Sequence, residues 1–409
     1  MAPTLREKTD FYLESRRRHR KYDLQRLTQK ASRMPTAVQQ TEELRSRNVL
    51  IVGWYGTETV GDKAILWEIV KELQSRSSPP QKITVSSLHP FVTRYTIREL
   101  SLDGVGYVET YSKEFEGCCK QCDEVVVGGG PLMSLEALNH MLYAMIENTN
   151  RGGLNRIAGC GIGPLEGTRF TEAVSEMLRL SGSVKLRDSK SAERSQSEFN
   201  IQAEVVPDPA TGFVLANRDA ARTFNKSCTD LDGDFDVAFF LRELTGEYTG
   251  DLKEDEVKAR MQHVEDAQFE LIKWLSQNGY RVRLFAMHTF TIGCDDRVLN
   301  RRLVRQFQQY DPSLAHLVTF ARLPMSPLEI LTAMAKARFT VAMRFHSVLF
   351  AYHMSVPFLA IDYTSGGKIK SFLDDHGATD KLFSLDDLIA GKPSAIIVQK
   401  MSEISADSN

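Results

Sequence analysis

The sequence predicts an α/β protein with two doubly wound, Rossmann-like domains that face a cleft. Two observations lead to this prediction. Short apolar strands alternate with amphipathic helices from about residue 48 to residue 375, which is typical of parallel sheets covered by helices on both faces. A polar stretch interrupts the alternation at residues 217–234, so we expect it to link the two domains.

The composition excludes several other classes of protein. The 409 residues are 42% hydrophobic and 25% charged, with a net charge of -2, which fits a globular protein and gives no sign of a general nucleic-acid binder. No apolar run of roughly 18 residues predicts a membrane span. The first residues contain no apolar core of the signal-peptide kind. We therefore expect a cytoplasmic protein.

Residues 1–46 are polar and charged, and they predict an N-terminal helical extension. Within them, Arg16–Lys21 form a basic run. This run can make a peripheral contact with an anionic membrane or a lipid-linked substrate, and a solvated helix face is the alternative.

The N-terminal Rossmann-like domain is predicted at residues 47–216. Its first strand, at residues 48–53, leads through a glycine-bearing loop into a helix whose apolar residues recur at helical spacing. Further strands are predicted at residues 82–85, 124–127, 156–159, 184–187 and 203–206.

The C-terminal Rossmann-like domain is predicted at residues 235–375, and a tail follows at residues 376–409. A helix is predicted over residues 265–278 and another over residues 347–353. The predicted strands cover residues 236–241, 281–287, 317–320, 339–342 and 357–361.

Cationic and titratable side chains follow three strands of the C-terminal domain. Arg242 and His288 each follow one strand, and Arg344 and His346 follow a third. Because parallel strands end at one edge of their sheet, we expect these groups to form a site for an acidic ligand, with a histidine for proton transfer. A core histidine beside a surface arginine is the alternative for Arg344 and His346.

Glycines mark a second candidate site in the N-terminal domain. Gly56 and Gly61 permit a tight turn, and the helix that begins at Asp62 offers amides to an anion or a sugar hydroxyl. Asp62 can equally be a helix N-cap. Gly129 and Gly130 follow a buried strand and indicate close approach of the backbone to a ligand or to a crossing helix.

Two charged residues and a cysteine pair have competing interpretations. Arg187 and Asp188 end a strand, where they can bind a ligand or form an ion pair that braces the loop. Cys119 and Cys122 have the spacing of half a zinc site or a redox pair, but no second ligand pair matches them. We therefore favour structural thiols and expect no metal.

Taken together, these segments resemble the polysaccharide pyruvyltransferases. The motifs that carry the resemblance keep the family's order over roughly residues 48–375, and they are Val52–Gly56, Gly61–Leu66, Val127–Gly130, Gly159–Leu165, Leu186–Ser189 with Ser191, Asp208–Ala210, Met343–Ser347, Val356–Pro357, Ile361–Tyr363 and Lys368. The sequence departs from the family at Thr59–Lys63, where Asn-x-Gly-Asp-Glu is usual, and at Pro131–Met133, which follow the triple glycine. These departures fall in the half that we assign to the acceptor.

The resemblance implies a GT-B-like fold and transfer of a pyruvyl group from phosphoenolpyruvate to two hydroxyls of one sugar, which gives a cyclic ketal and phosphate. His346 would be the catalytic acid/base with Arg344 beside it, and no cofactor or metal would be needed. The implied donor contacts are Arg242, Arg344, His288, Lys368 and Ser347. The implied contacts to the saccharide acceptor are Gly56, Gly61, Asp62, Gly129, Gly130, Arg187 and Asp188.

Two alternative functions stay open at this point. A GT-B glycosyltransferase with a nucleotide-sugar donor would use the same cleft, and turnover with phosphoenolpyruvate alone separates it from a pyruvyltransferase. A non-catalytic glycan-binding relative is the other alternative, but the presence of both Arg344 and His346 counts against it.

Overall fold

A computed structural model describes residues 20–38, 47–224, 231, 233–244, 254–290, 294–364 and 367–406. These residues form two compact units. The first unit contains the described residues up to Gly56 together with Ile65–Pro209. The second unit contains Thr57–Ala64 and the described residues from Ala210 onward.

A parallel sheet forms the centre of the first unit. Its strands are β1 (Asn48–Val52), β2 (Lys82–Ser87), β3 (Val105–Glu109), β4 (Glu124–Val127), β5 (Pro131–Leu132), β6 (Leu154–Ile162), β7 (Ser183–Leu186) and β8 (Glu204–Val205). Their order is β3-β2-β1-β4-β6-β7-β8, and β5 pairs with β6. The sequence did not reveal β3, because this edge strand is mostly exposed and lacks an apolar run.

Helices connect these strands. They are α1 (Leu24–Ala31), α2 (Val60–Gln74), α3 (Pro90–Glu99), α4 (Lys113–Cys119), α5 (Leu138–Thr149), α6 (Thr168–Arg179) and α7 (Ser189–Phe199). The helix α1 lies within the predicted N-terminal extension and packs on α5 and α6. Most of the basic run Arg16–Lys21 lies outside the described residues, and Lys21 forms an ion pair with Glu116.

The second unit is built around another parallel sheet. Its strands are β9 (Val237–Phe240), β10 (Val282–Leu284), β11 (Val318–Phe320), β12 (Phe339–Ala342), β13 (Phe358–Asp362) and β14 (Leu382–Ser384), in the order β11-β10-β9-β12-β13-β14. Its helices are α8 (Ala210–Thr223), α9 (Glu254–Gln277), α10 (Asp296–Tyr310), α11 (Pro327–Lys336), α12 (Phe345–His353), α13 (Lys368–Asp375), α14 (Leu385–Ile389) and α15 (Lys392–Ala406).

Both strand orders are those of doubly wound sheets. In each sheet the first strand is central, and the chain builds outward from it in one direction and then in the other. The direction changes between β1 and β4 in the first sheet and between β9 and β12 in the second. The predicted fold class, two Rossmann-like α/β domains, is thus confirmed.

The structure differs from three of the predicted boundaries. Residues 57–64 were predicted in the N-terminal domain but belong to the second unit, since they pack beside the end of β10. The predicted link at residues 217–234 begins inside α8, and residues 225–230 lie outside the described residues. The predicted tail contains β14, which pairs with β13 and so belongs to the second sheet. This strand was not predicted, because three residues carry too little pattern.

No helix in the described ranges combines the length and the apolar character that a membrane span requires. The strands β9 and β12 are instead buried along their whole length in the second unit.

Close packing at the switch point of the first sheet depends on Gly53. This residue follows β1, and a Cβ built on it would lie 1.8 Å from the carbonyl oxygen of Gly128, which follows β4. The two strand ends therefore approach to a distance that only glycine allows.

We predict that Gly53→Ala destabilises the chain by about 1–3 kcal/mol, because the new methyl group must displace backbone. Gly117→Ala is the matched control: it lies on α4 with no heavy atom within 4 Å of its Cβ position, so it should be neutral or stabilise slightly. Denaturant unfolding of both variants measures the difference, and equal stabilities would contradict the packing argument.

Candidate active site

Two arginines follow the central strands of the second sheet. Arg242 lies two residues beyond β9, and Arg344 lies two residues beyond β12. The two strands are neighbours, with Phe240 paired with Ala342. In doubly wound sheets, ligands bind outside the carboxyl ends of the strands where the winding changes direction. Arg242 and Arg344 therefore lie where this fold most often binds ligands.

The hydroxyl of Tyr363 is the point on which the nearby cations converge. Arg242 donates a hydrogen bond from Nη1 to this oxygen at 2.8 Å, and its guanidinium lies 4.5 Å from the ring centroid. Lys368 also hydrogen bonds to the hydroxyl, with Nζ 5.7 Å from the centroid. Tyr363 is only 1% exposed.

The pKa of Tyr363 reports the positive charge around it. Burial by itself would raise this pKa, but the charges of Lys368, Arg242 and Arg344 outweigh burial and lower it to about 8. The positive charges of these three side chains around a buried hydroxyl suit an anionic ligand.

Arg344 is held in place by a buried carboxylate. Asp296 is the first residue of α10, and its side chain is 0% exposed. The Nε atom of Arg344 lies 3.2 Å from both carboxylate oxygens, and Nη2 donates to Oδ1. The backbone amides of Met287 and His288 also donate to this carboxylate, at 3.1 and 3.0 Å. Asp296 thus fixes the guanidinium to the end of β10.

Residues 57–64 are also bound to the end of β10. The amide of Val60 donates to the carbonyl of Met287 at 3.0 Å. The Oγ1 atom of Thr59 lies 2.8 Å from Nδ1 of His288. Lys63 forms an ion pair with Glu58 at 2.8 Å. The predicted donor residue His288 is therefore buried against this loop, and its ring position is determined by Thr59.

His346 packs directly against Gly61. A Cβ on Gly61 would lie 1.9 Å from Nδ1 of His346 and 2.2 Å from its Cγ. The rings of Phe345 and Phe350 lie 5.1 and 6.5 Å from the imidazole, which is half-buried. Gly61 and the adjacent Asp62 were predicted on the acceptor side, but the structure places them in the second unit beside the predicted acid/base.

Ser347 lies on the first turn of α12, close to Arg344. It is fully buried, its hydroxyl donates to the carbonyl of Arg344 at 2.6 Å, and its amide donates to the same carbonyl at 2.9 Å. The side chain turns back onto the first turn of α12, as serine often does near a helix N-terminus. These contacts brace the start of α12, and the contact of Ser347 with the donor stays a prediction.

In the first unit, Arg187 and Asp188 brace the end of β7. Arg187 donates to Asp208 at 2.9 Å, and the two side chains are 3% and 2% exposed. Burial lowers the pKa of Arg187, but the carboxylates of Asp208 and Asp188 raise it above its usual value. Asp188 caps α7 by accepting from the amide of Ser191 at 2.7 Å. These contacts favour the loop-bracing interpretation over acceptor binding.

Packing within the first unit accounts for two of its candidate glycines. Gly56 has φ +88° and a Cβ position 2.7 Å from the amide nitrogen of His89. Gly129 has φ +85° and a Cβ position 3.2 Å from the ring of Tyr55. The Cβ position of Gly130 has its nearest heavy atom at 3.9 Å, so this glycine leaves the most room for a ligand.

Sequence reasoning missed Asp296 and Tyr363 as site residues. Tyr363 could have been found, because it follows a strand adjacent to β12 and belongs to the Ile361–Tyr363 motif. Asp296 gave no such signal. It looks like an ordinary acidic residue at the start of a helix, and its pairing with Arg344 connects residues far apart in sequence.

The structure supports the expected structural role of the cysteine pair. Cys119 and Cys122 are buried, and burial raises the pKa of Cys122 to about 12, so the thiol stays protonated. Within the described part of the chain, no group of three or more histidine, cysteine, aspartate or glutamate side chains is arranged to hold a metal ion.

Comparison with known families identifies this chain's relatives. Residues 60–365 match the family model for polysaccharide pyruvyl transferase, which is more than half of the chain. The chain belongs to the polysaccharide pyruvyl transferase family. The family resemblance inferred from the motifs is thereby confirmed.

One named relative of this pyruvyl transferase family member is only distantly similar to the chain. The amylovoran biosynthesis protein AmsJ of Erwinia amylovora is 23% identical over 303 residues, which cover 71% of this chain and 69% of AmsJ.

Solved structures of UDP-GlcNAc 2-epimerases share the fold. The enzyme of Methanocaldococcus jannaschii has a TM-score of 0.54 at 14% identity and covers 84% of this chain and 90% of its own. That of Neisseria meningitidis, bound to UDP-GlcNAc, has a TM-score of 0.52 at 12% identity and covers 87% and 100%. At such identities the likeness shows the fold alone, and it agrees with two Rossmann-like domains of the GT-B kind.

We predict that Asp296→Asn destabilises the chain by about 3 kcal/mol, because the amide can still accept from Met287 and His288 but leaves Arg344 without its counter-charge. Asp386→Asn is the control: its ion pair with Arg260, at 3.0 Å, is exposed, so the loss should stay below about 1 kcal/mol. Chemical denaturation measures both, and a loss for Asp296→Asn no larger than the control's would contradict the assignment.

We also predict that Gly61→Ala moves the imidazole of His346, because the methyl group and the ring cannot occupy the same space. The ring signals of His346 in a proton–carbon NMR spectrum should shift, after assignment by their absence in His346→Gln. Gly117→Ala should leave them in place. Unchanged His346 signals in Gly61→Ala would show that the ring does not lie against Gly61.

Proposed function

We propose that this protein transfers a pyruvyl group from phosphoenolpyruvate to two hydroxyls of one sugar residue in a glycan or glycan precursor, forming a pyruvate ketal and releasing phosphate. The observation that carries the proposal is a pair of cations, Arg242 and Lys368, hydrogen bonded to one buried hydroxyl, with Arg344 at the end of the neighbouring strand, in a chain of the polysaccharide pyruvyl transferase family.

The charges of the donor match those of the site. Phosphoenolpyruvate carries a carboxylate and a phosphate, and each needs cationic hydrogen-bond donors when it leaves water. Arg242 and Arg344 offer planar guanidinium groups that suit such oxyanions, and Lys368 adds a third charge on a compact ammonium group. The pairing of Arg344 with Asp296 reduces its net charge but fixes the direction of its donors. His288 supports this arrangement through the loop at residues 57–64.

The proposed reaction balances without a further reactant. Two sugar oxygens form bonds to the central carbon of phosphoenolpyruvate, and the bond from that carbon to the phosphate oxygen breaks. One hydroxyl proton ends on the terminal carbon, which becomes a methyl group. The other hydroxyl proton leaves with the phosphate. The protein must therefore hold two anionic groups and move protons.

His346 is the group that we assign to proton transfer. An imidazole can accept and donate protons near neutral pH. His346 lies two residues beyond Arg344, on the first turn of α12, so it shares a strand end with one of the donor-binding cations. Gly61 leaves space for its ring. In this assignment, His346 protonates the terminal carbon of the donor and removes a proton from an incoming hydroxyl.

The acceptor is proposed to be a saccharide, and it can be lipid-linked. The name of AmsJ places that relative in amylovoran biosynthesis, and the family's description names a polysaccharide, which together favour a glycan or its precursor as the acceptor here. Among the acceptor residues expected from the sequence, Gly130 keeps this assignment most readily, since the heavy atom nearest to its Cβ position lies at 3.9 Å. Gly56, Gly129, Arg187 and Asp188 make contacts within the protein that account for their presence.

Phosphate release tests the proposed reaction. The purified protein is incubated with phosphoenolpyruvate and a panel of galactosides, mannosides and glucuronides, and released phosphate is measured. We expect release that depends on both the donor and one class of acceptor. A parallel series with nucleotide sugars addresses the glycosyltransferase alternative. Sugar transfer there, without phosphate release from phosphoenolpyruvate, would overturn the proposal.

We predict that His346→Gln lowers turnover by roughly 10²–10⁴, the usual contribution of a positioned acid/base group. Binding of phosphoenolpyruvate and the melting temperature should stay close to those of the unaltered protein, because the amide preserves much of the side chain's volume. His316→Gln, at an exposed histidine, is the control and should retain activity. A folded His346→Gln protein with nearly full turnover would refute the assignment.

A further inference from the structure

Arg242, Arg344 and Lys368, whose charges act on Tyr363, form with it a group that we call the cationic cluster. Of these four residues, Tyr363 is the one that can gain a negative charge near physiological pH while the three cations stay charged. Its hydroxyl accepts from Arg242 at 2.8 Å and also hydrogen bonds to Lys368. Both cations are proposed donor-binding groups, so the phenol and an anionic donor would interact with the same two side chains.

We propose that Tyr363 is a positioning residue of the donor site: its protonated hydroxyl orients Arg242 and Lys368 for phosphoenolpyruvate, and loss of its proton turns it into an internal anion that competes with the donor. This inference rests on the proposed function, since it assumes that the donor binds these cations.

The surroundings of Tyr363 make such a competition effective. The side chain is 1% exposed, so a phenolate there would interact with its neighbours rather than with water. Arg242, which follows β9, and Lys368, which begins α13, both hydrogen bond to this oxygen, and the charge of Arg344 before α12 acts on it from a distance. A single negative charge on that oxygen offsets much of the attraction that a bound donor would feel.

Other charged or titratable groups near the cluster have partners of their own. Asp296 is bound to Arg344 and to two backbone amides. Asp362, which precedes Tyr363 on β13, accepts from the amide of Thr364 at 2.7 Å. His346 packs on Gly61. Among these groups, Tyr363 is the one that hydrogen bonds directly to Arg242 and Lys368, so its ionisation changes the charge that these two cations face.

The sign of the effect follows from the pKa. The cations lower the pKa of Tyr363 from 10.0 to about 8, so the phenol is neutral below that pH and charged above it. The second ionisation of a phosphate monoester lies near pH 6, so the donor's own charge stays constant in this range. If only the protonated form binds the donor, the dissociation constant rises about tenfold for each pH unit above the pKa of Tyr363. Conversely, a bound donor should raise that pKa.

The test combines Tyr363→Phe with the control Tyr310→Phe, whose ring is 51% exposed on α10. Binding of phosphoenolpyruvate is measured by calorimetry between about pH 7 and about pH 9.5, and tyrosinate formation is followed by ultraviolet absorbance over the same range, with melting curves to confirm folding. For the unaltered protein and the control, we expect one tyrosine to ionise near pH 8, binding to weaken about tenfold per pH unit above it, and saturating donor to move the ionisation to higher pH.

For Tyr363→Phe, the ionisation near pH 8 should disappear and donor binding should become independent of pH in this range. At about pH 7 its binding should be about 2- to 12-fold weaker, because the two cations have lost a shared hydrogen-bond partner. Persistence of the ionisation in Tyr363→Phe, or an unchanged pH dependence of binding, would overturn the inference. Absence of donor binding at every pH, with the ionisation intact, would instead overturn the assignment of phosphoenolpyruvate as the donor.

Discussion

The site depends above all on positive charge that is fixed at the carboxyl edge of the second sheet. Arg242, Arg344 and Lys368 stand on different elements, and each would repel the others if nothing lay between them. The structure resolves this repulsion with two groups. The carboxylate of Asp296 forms an ion pair with Arg344, and the hydroxyl of Tyr363 hydrogen bonds to Arg242 and Lys368. The protein's own side chains thus hold the cluster in place, and charges fixed in this way stabilise a developing charge at little cost in reorganisation.

The segment at residues 57–64 ties the rest of the site to this cluster. Its backbone pairs with the end of β10, and the same strand end supplies the amides that bind Asp296. One carboxylate therefore joins Arg344, the end of β10 and, through it, the loop that carries Gly61. Because Gly61 has no side chain, the imidazole of His346 can lie against that loop. A substitution at Asp296, at the end of β10 or in this loop should therefore shift the positions of the other two.

Much of the fold could be predicted from the sequence because its strands are short apolar runs between helices with one apolar face. The elements that escaped prediction carry too little pattern of that kind. The edge strand β3 is mostly exposed, and β14 has three residues. Gly61 was predicted in the N-terminal domain, because it follows β1 in sequence, but it belongs to the second unit. The residues before it, Thr59 and Val60, hydrogen bond to residues beyond β10.

The same limit explains which site residues could be found. Arg242, Arg344 and His346 follow strands, so the rule that parallel strands end together was enough to group them. Asp296 needed knowledge of a contact between α10 and the end of β12, which no local pattern encodes. Arg187 and Asp188 show that the same rule does not decide what a charged residue at a strand end does. They also end a strand, but they form buried contacts with Asp208 and with the start of α7 that use the same charges for stability.

The measurement that most directly tests the central claim is a crystal structure of the protein with phosphoenolpyruvate bound. If fixed charge at the second sheet holds the donor, its carboxylate and phosphate should lie against Arg242, Arg344 and Lys368, with its terminal carbon within reach of the ring of His346. The account would be contradicted if phosphoenolpyruvate were bound at the glycine turn that includes Gly130, while Arg242, Arg344 and Lys368 contacted only Tyr363 and Asp296.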